Sequence, residues 1–197
     1  FCSRVGDNSG YFMHKYRPDD SLGSSWHPWM RNGKIEYPIQ EDETALVLIS
    51  LWNHYAQSRD LEFIEKIYDT LIRQTANFMV EYRDPKTGLP KASFDLWEEK
   101  FGIHTFTAAS VYGALTAAAK FAKLLGKEKS EHVYTTAAFE IKQAIIAHLY
   151  DEEQGIFIKM INVDDNGTIT YDKTLDMSSI YGIFTWEVLE INDPRLS

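Results

Sequence analysis

Apolar residues recur at helical spacing in four long stretches of the chain. These stretches are 41–58, 61–83, 105–125 and 130–150. Within each, apolar side chains follow one another three or four positions apart, which is the period of one helix face. Asp60 is placed to cap the second helix and Gly126 to end the third. Because the stretches share no sequence repeat, the pattern predicts two helical hairpins, 41–83 and 105–150, rather than a regular solenoid.

The third stretch is rich in small residues. They are Ala108, Ala109, Gly113, Ala114, Ala117, Ala118 and Ala119. Small side chains on several faces of a helix let its neighbours approach closely. We therefore expect the helix over 105–125 to be buried on most of its sides.

The segments outside the helical pairs have turn and strand signals. Residues 1–40 are aromatic and contain glycine and proline, which predicts a long ordered loop, and 84–104 predicts a second loop. The apolar run 156–160 predicts a strand that returns over 168–171, so we expect a small β-hairpin near 156–171.

The turn of that hairpin is predicted at Asp165-Asn166-Gly167. A further helix is expected to begin near Asp176, so that 151–197 holds the hairpin and the start of this helix. The whole chain is thus predicted to be one all-α unit with a minor β component.

Composition and charge narrow the classes of function. The chain has 197 residues, of which 44% are hydrophobic and 14% aromatic, and this supply is enough for a packed core. Its net charge of −9 repels phosphate backbones, so we expect no nucleic-acid partner. No apolar run is long enough to span a bilayer, so we expect no membrane partner. The single cysteine, Cys2, excludes an internal disulfide.

Metal and cofactor motifs are not evident. The six histidines have no ligand spacing of the His-Glu-x-x-His kind. The segment 162–173 places Asp164 and Gly167 as a calcium loop would, but Lys173 stands where a bidentate Glu is required. We interpret this segment as a plain hairpin and expect neither a metal nor a cofactor.

The strongest chemical feature is a run of carboxylates beside an indole, Asp95-Leu96-Trp97-Glu98-Glu99. Carboxyl groups packed together raise the pKa of at least one of them. A carboxyl that stays protonated near neutral pH suits a general acid for glycosidic cleavage, and Trp97 would add desolvation or a platform for a sugar ring. The alternative is structural, because Asp95 and Glu98 also match a capping box at a helix start.

Two further groups are candidate sugar contacts. Trp26 and Trp29 flank His27 in the N-terminal loop, where they would either stack on a pyranose ring or anchor the loop. The run Gln40-Glu41-Asp42-Glu43 stands at the start of the first helix, where its side chains would either bind sugar hydroxyls or serve the helix terminus.

Several of these segments resemble family 15 of the glycoside hydrolases, which includes glucoamylases, glucodextranases and some trehalases. The run 94–107 is similar to the acid-bearing segment of that family. The segments 11–29 and 38–45 and the ending over 175–195 are similar to its bacterial and archaeal branch. The resemblance covers nearly the whole chain, in order.

This resemblance implies an (α/α)6 barrel and hydrolysis with inversion at the anomeric carbon. By position, Glu98 matches the general acid. Asp95 and Glu99 match its acidic neighbours, which contact substrate and tune the acid, and Trp97 matches a residue that shapes the pocket. Regional matches imply substrate-binding roles for Trp26, His27, Trp29, Gln40 and Asp42.

The resemblance also implies that the catalytic base, another Glu, belongs to a second half of the barrel. Glu99 adjoins Glu98 and cannot stand on the opposite face of the sugar, where an inverting enzyme needs a base roughly 6.5–9.5 Å from the acid. We therefore expect residues 1–197 to be a fragment with little activity alone. Its exposed half-barrel faces would favour self-association.

The predicted function is that of an exo-acting α-glucosidase or glucoamylase, acting in the cytoplasm on α-linked glucose oligosaccharides or polysaccharide. One alternative is a trehalase or another (α/α)6 carbohydrate-active enzyme. Another is a non-catalytic helical scaffold or carbohydrate-binding domain, in which Glu98 would face solvent or only cap a helix.

Overall fold

The computed structural model describes residues 9–19, 21–23, 30–31, 33–35 and 38–196. Six α-helices lie in these ranges. They are α1 (Glu41–Ser58), α2 (Leu61–Ile67), α3 (Arg73–Glu81), α4 (Thr105–Leu124), α5 (Glu128–Leu149) and α6 (Met177–Thr185). A short 3-10 helix spans Pro194–Leu196. The four long helical stretches predicted from the apolar pattern are therefore confirmed, with one correction.

The stretch 61–83 is not one continuous α-helix, contrary to the prediction. A π-helical turn over Tyr68–Ile72 separates α2 from α3, and the helix ends at Glu81. Leu71 and Ile72 are both buried although they are adjacent in sequence. The wider π turn lets both side chains face the core, which the 3.6-residue period does not anticipate.

Both predicted helix-end signals are confirmed. The Asp60 carboxylate accepts a hydrogen bond of 2.9 Å from the amide of Phe63 at the start of α2. Gly126 has a φ of 64°, and the Lys127 amide donates to the carbonyl of Ala122 at 2.8 Å. This left-handed glycine closes α4 with the bonding of a Schellman motif.

Helix α4 is the centre of the fold, and α1, α3, α5 and α6 pack against it. All its alanines are buried. At Gly113 an added Cβ would lie 2.9 Å from the Cβ of Trp186, so the helix approaches its neighbour at van der Waals distance there. The prediction that small residues bury this helix on most sides is confirmed.

The β-structure is larger than the predicted hairpin. Four strands form one antiparallel sheet in the order β3 (Ser93–Phe94), β4 (Phe101–His104), β7 (Met160–Val163) and β8 (Ile169–Asp172). Two short ribbons pair β1 (Met30–Arg31) with β2 (Lys34–Ile35), and β5 (Tyr150–Asp151) with β6 (Ile156–Phe157).

The predicted return strand and its turn are confirmed, whereas the single strand over 156–160 is wrong. Gly167 donates its amide to the Asp164 carbonyl at 2.9 Å and closes the β7–β8 turn. The apolar run is divided between two partners, because β6 pairs with β5 and β7 begins only at Met160. The segment 84–104 is likewise not all loop, since it contains β3 and β4, which are too short to show an alternating pattern.

The described part of 1–40 is attached to α1. Phe12 is buried and its amide donates to Thr44 Oγ1 at 2.9 Å. The amide of Met13 donates to the Tyr16 hydroxyl at 2.8 Å. The segment 9–16 therefore lies against the first turn of α1, while the long ordered loop as a whole stays a prediction.

Candidate active site

The run of carboxylates forms the loop of the β3–β4 hairpin. Asp95 organises this loop, because its carbonyl accepts from the Glu98 amide at 2.8 Å and its Oδ1 accepts from the amides of Glu99 and Lys100 at 2.7 and 3.0 Å. No helix begins in this hairpin, since residues 95–100 form a turn between two strands. The capping-box interpretation of Asp95 and Glu98 is therefore wrong.

Asp95 itself is poorly suited to be an acid. Burial by itself would raise the pKa of its carboxyl, but the amides of Lys100 and Glu99 and the ammonium of Lys159 outweigh burial and hold the pKa below its usual range. Only 3% of the residue is exposed. Asp95 is thus an ionised carboxylate that shapes the loop, and the substrate contact proposed for it stays a prediction.

Glu98 is presented by strained backbone. Its φ is 58°, in the left-handed region that costs a residue with a Cβ about 1–3 kcal/mol. Its side chain is 27% exposed and its Oε1 lies 2.9 Å from Nε2 of His14. Backbone strain of this kind concentrates at functional positions, where the surroundings hold a side chain in one orientation.

His14 joins two carboxylates that are far apart in sequence. Its Nδ1 contacts Oε1 of Glu43 while its Nε2 contacts Glu98. His14 was not selected from the sequence, and Glu43 was considered only as part of the acidic run at the start of the first helix. Both residues lie in segments that resemble the family, His14 in 11–29 and Glu43 in 38–45.

A buried ammonium supports the loop from behind. Lys159 Nζ lies 2.9 Å from Asp95 Oδ2 and 3.2 Å from Asp176 Oδ2, and the lysine is 8% exposed. The same Asp176 oxygen accepts from Nε1 of Trp97 at 3.1 Å. Lys159 was not predicted, although a charged residue inside the apolar run 156–160 is a signal that could have found it.

Asp176 also caps α6. Its Oδ1 accepts from the Ser178 amide at 2.9 Å and from the Ser178 hydroxyl at 2.7 Å, which confirms the predicted helix start. Burial opposes ionisation, but these hydrogen bonds, together with those from Lys159 and Trp97, lower the pKa of Asp176 to about 2. Asp176 is therefore ionised and balances the charge of Lys159.

Trp97 and Glu99 lie on the surface of the loop. Trp97 is 55% exposed even though its indole N–H is bonded, and Glu99 is exposed. An aromatic ring that is held at its polar edge and open on its face can stack on an apolar sugar face. The substrate-binding roles assigned to both residues stay predictions.

Gln40 and Asp42 are buried next to the loop and are not part of it. Gln40 is buried and its side-chain amide donates to the Asp95 carbonyl at 3.2 Å. Asp42 is also buried, and the hydroxyl of Thr107 lies 3.4 Å from its Oδ1. Gln40 precedes α1 and Asp42 is in its first turn, so both link α1 to the site.

Two acids of α1 have raised pKa values. Burial, and next the charge of Glu43, raise the pKa of Asp42 to about 7. Burial also raises the pKa of Glu41 well above its usual value, against a hydrogen bond of 3.0 Å from the Lys91 amide. Crowded carboxyls do raise a pKa in this site, but the shift is found at the start of α1 and not at Asp95.

The residues that precede two helices contact the acid loop. Gln40, before α1, donates to the Asp95 carbonyl, and Asp176, before α6, accepts from the indole of Trp97. Unpaired amides at a helix N-terminus attract negative charge. These two N-termini favour the cluster of carboxylates that the chain assembles here. Trp26, His27 and Trp29 lie outside the described residues.

Within the ranges that the structure describes, no group of three or more His, Cys, Asp and Glu side chains is arranged to hold a metal ion. None of the helices in those ranges combines the length and the apolar character needed to cross a membrane.

The fold is of the α/α-barrel type. Its helical hairpins pack around α4, and the loop of one small sheet holds carboxylates near helix N-termini. The sequence profile of glycosyl hydrolases family 15 matches residues 33–189. The chain belongs to this family, which confirms the resemblance seen in its motifs.

A curated relative is an uncharacterized glycosyl hydrolase of Methanocaldococcus jannaschii, 27% identical over 193 residues. The alignment covers 98% of this chain and 29% of the relative, so the chain spans less than a third of that protein's length.

Solved structures show the same fold. A GH78 family rhamnosidase of Bacillus sp. GL1 has a TM-score of 0.65 at 17% identity, over 80% of this chain and 16% of that one. A rhamnosidase from Klebsiella oxytoca with rhamnose bound has a TM-score of 0.61 at 15% identity, over 80% and 29%. A bacterial glucoamylase complexed with acarbose has a TM-score of 0.60 at 22% identity, over 84% and 25%.

Proposed function

We propose that this chain carries the acid half of a glycoside hydrolase active site, with Glu98 as the general acid. The observation that carries the proposal is the presentation of Glu98. It is a partly exposed carboxyl on strained backbone, next to an exposed indole at Trp97, and it lies in a loop fixed by buried charges. Membership of family 15 supports a glycoside hydrolase, and the resemblance of the run 94–107 to the family's acid-bearing segment is the reason for assigning the acid to Glu98.

The proposed reaction is hydrolysis of an α-glucosidic bond at a chain end. Glu98 gives its proton to the glycosidic oxygen, and a water molecule that has lost a proton to a base attacks C1 from the opposite face. Inversion then releases β-glucose. The glucoamylase of similar fold was solved with acarbose, which supports a glucan as the substrate class.

The base is proposed to lie outside residues 1–197. Glu43 is not a suitable base, because the His14 imidazole contacts both Glu43 and Glu98 and therefore lies between the two carboxylates, where an inverting pair needs room for a water molecule. Glu99 follows Glu98 directly and is excluded by position. We accordingly propose that residues 1–197 alone turn over little substrate, and that their open helical faces favour self-association.

The test compares Glu98→Gln with Glu153→Gln in the protein that carries residues 1–197. Glutamine keeps the shape of Glu98 but cannot donate a proton, so we expect turnover to fall by roughly 10²- to 10⁴-fold. Glu153→Gln, at an exposed position in the turn between β5 and β6, makes the same chemical change away from the acid loop and should leave turnover unchanged. Full turnover in Glu98→Gln would exclude the assignment and would favour a non-catalytic binding domain.

The substrate is tested with a panel of maltooligosaccharides, isomaltose and trehalose. Preference for the first two supports a glucoamylase or glucodextranase, whereas preference for trehalose supports the trehalase alternative. Proton NMR of the first-formed product gives the anomer, and initial α-glucose would contradict inversion.

A further inference from the structure

We infer that His14 and Glu43 are positioning residues for the carboxyl of Glu98, a role that rests on the proposed function. In this arrangement the imidazole fixes one oxygen of Glu98, supplies the proton that returns to it after each turnover, and is itself oriented by Glu43. The geometry that carries this inference is the contact of one imidazole, through its two ring nitrogens, with two carboxylates.

Both ring nitrogens of His14 are engaged. Nε2 lies 2.9 Å from Oε1 of Glu98, and Nδ1 contacts Oε1 of Glu43. The side chain of His14 is 15% exposed and that of Glu43 is 22% exposed, so both are more protected than Glu98 at 27%. The carboxyl with most access to solvent is thus the one proposed to meet the substrate.

The segment that carries His14 is fixed to α1 close to this contact. The buried Phe12 amide donates to Thr44 Oγ1, and His14 follows Phe12 by two positions while Glu43 directly precedes Thr44. A neighbour fixed in this way restricts the rotamers of Glu98 and leaves its Oε2 as the oxygen that is not in contact with the imidazole.

Proton counting explains why this contact suits an acid. A neutral imidazole has one N–H donor and one acceptor nitrogen, and an ionised carboxylate only accepts. Two close N···O contacts with two carboxyl groups, one of them a hydrogen bond to Glu43, therefore require one proton more than a neutral imidazole and two carboxylates hold. The extra proton lies either on the ring, as imidazolium, or on a carboxyl, so the trio stores a proton beside the reacting oxygen.

The proton balance closes over one turnover. In the resting trio the extra proton is on Glu98, which passes it to the glycosidic oxygen and becomes a carboxylate beside a neutral imidazole. The ring then takes a proton from solvent and passes it from Nε2 to Glu98, and the base releases to solvent the proton that it took from the attacking water. Other acids lie close to this trio in sequence. Asp42 precedes Glu43, and Asp95 and Glu99 belong to the loop that carries Glu98.

The experiment measures His14→Ala, His14→Gln and Glu43→Gln in the protein that carries residues 1–197. Each is assayed on the best α-glucosidic disaccharide and on 2,4-dinitrophenyl α-glucoside, whose leaving group needs no proton. We expect His14→Ala to lower kcat on the disaccharide by about 10- to 100-fold with KM nearly unchanged, and to leave the aryl glucoside within about threefold of wild type.

Conservative replacements sharpen the result. His14→Gln keeps a side-chain N–H for Glu98 but cannot carry a proton, so it should recover part of the lost kcat. Glu43→Gln should show the same leaving-group dependence with a smaller loss. His132→Gln, at an exposed histidine of α5, is the matched control and should behave as wild type.

Glu98→Gln, measured in parallel, separates the two proposals. If Glu98→Gln loses the disaccharide reaction while His14→Ala does not, the inference is overturned and the proposed function stands. An equal loss on both substrates in His14→Ala would assign His14 a purely structural role and would also overturn the inference. Wild-type turnover in Glu98→Gln would overturn both.

Discussion

The ammonium of Lys159 lies 2.9 Å from the carboxylate of Asp95, in a place where both residues are less than 10% exposed. Asp176 contacts the same ammonium from the start of α6 at 3.2 Å. A buried charge is tolerated only when it is paired, so these three groups depend on one another. Asp95 also accepts the hydrogen bonds that form the turn. The ion pair between Lys159 and Asp95 therefore connects the sheet to the loop that carries Glu98.

Replacing Lys159 should destabilise the protein strongly. In Lys159→Met the carboxylates of Asp95 and Asp176 lose a partner without gaining access to water, and breaking a buried pair of this kind costs about 3–5 kcal/mol. Urea unfolding at neutral pH measures the loss. Lys66→Met is the control, because Lys66 pairs with Glu62 on an exposed helix face and such pairs contribute about 0.5 kcal/mol or less. Equal losses in the two variants would contradict the role of Lys159.

Asp42 should make stability depend on pH. Its pKa is about 7 in the folded state, against an ordinary value of 3.8, so the folded protein keeps a proton that the unfolded chain releases. The free energy of unfolding should therefore fall as pH rises between about 4 and 7, with the full contribution of Asp42 present below that window.

Asp42→Asn removes this dependence because an amide does not ionise. Relative to wild type, the variant should become more stable by a few kcal/mol as pH rises through the window, measured by urea unfolding at several pH values. Asp165→Asn, at an exposed position in the β7–β8 turn, is the control. A constant difference between Asp42→Asn and wild type across the window would exclude the effect.

Trp97 should contribute to ligand binding more than to folding. Its ring is 55% exposed and is tied down through Nε1 to Asp176, so its face is open to a sugar. In Trp97→Ala the dissociation constant of a bound maltooligosaccharide, measured by calorimetry, should rise about two- to tenfold, which corresponds to a loss of about 0.5–1.5 kcal/mol of aromatic contact. Phe139→Ala, at an exposed ring of α5, should leave binding unchanged. Unchanged binding in Trp97→Ala would refute the stacking role.

Gly113 should not tolerate a methyl group. A Cβ there would lie 2.9 Å from Cβ and Cγ of Trp186. The gain in helix propensity from glycine to alanine is about 1 kcal/mol, whereas overpacking costs about 1–3 kcal/mol, so we expect Gly113→Ala to be net destabilising in urea unfolding. In a Trp186→Ala background the same change should instead stabilise. If Gly113→Ala destabilises equally in both backgrounds, the contact with Trp186 is not the cause.

The sequence alone was sufficient to predict most of the helices and several of their ends. The cap at Asp60, the left-handed Gly126 and the turn before Thr168 depend on hydrogen bonds between residues that are close in the chain. The small residues on several faces of 105–125 also identified α4 as the buried helix. Such features follow from local bonding and from the spacing of side chains on one face.

The sequence also identified the acid loop but not the electrostatics of its members. Crowding predicted a raised pKa among the acids of 95–99, yet two amides and Lys159 lower that of Asp95. Asp42, which was predicted as a sugar contact or a terminal acid, has the raised pKa because it is buried. Burial and partners are properties of the assembled fold, so carboxylates with similar local sequence acquire different chemistry.

By itself, then, the sequence determined where most of the helices lie, to which family the chain belongs, and that Glu98 is the candidate acid. Only the tertiary structure decided that His14 and Glu43 would meet Glu98, and that Lys159 would hold Asp95 and Asp176. The reason is that local backbone bonds select each element separately. The contacts of the site join side chains from several elements, and these meet only when helices and sheet pack around α4.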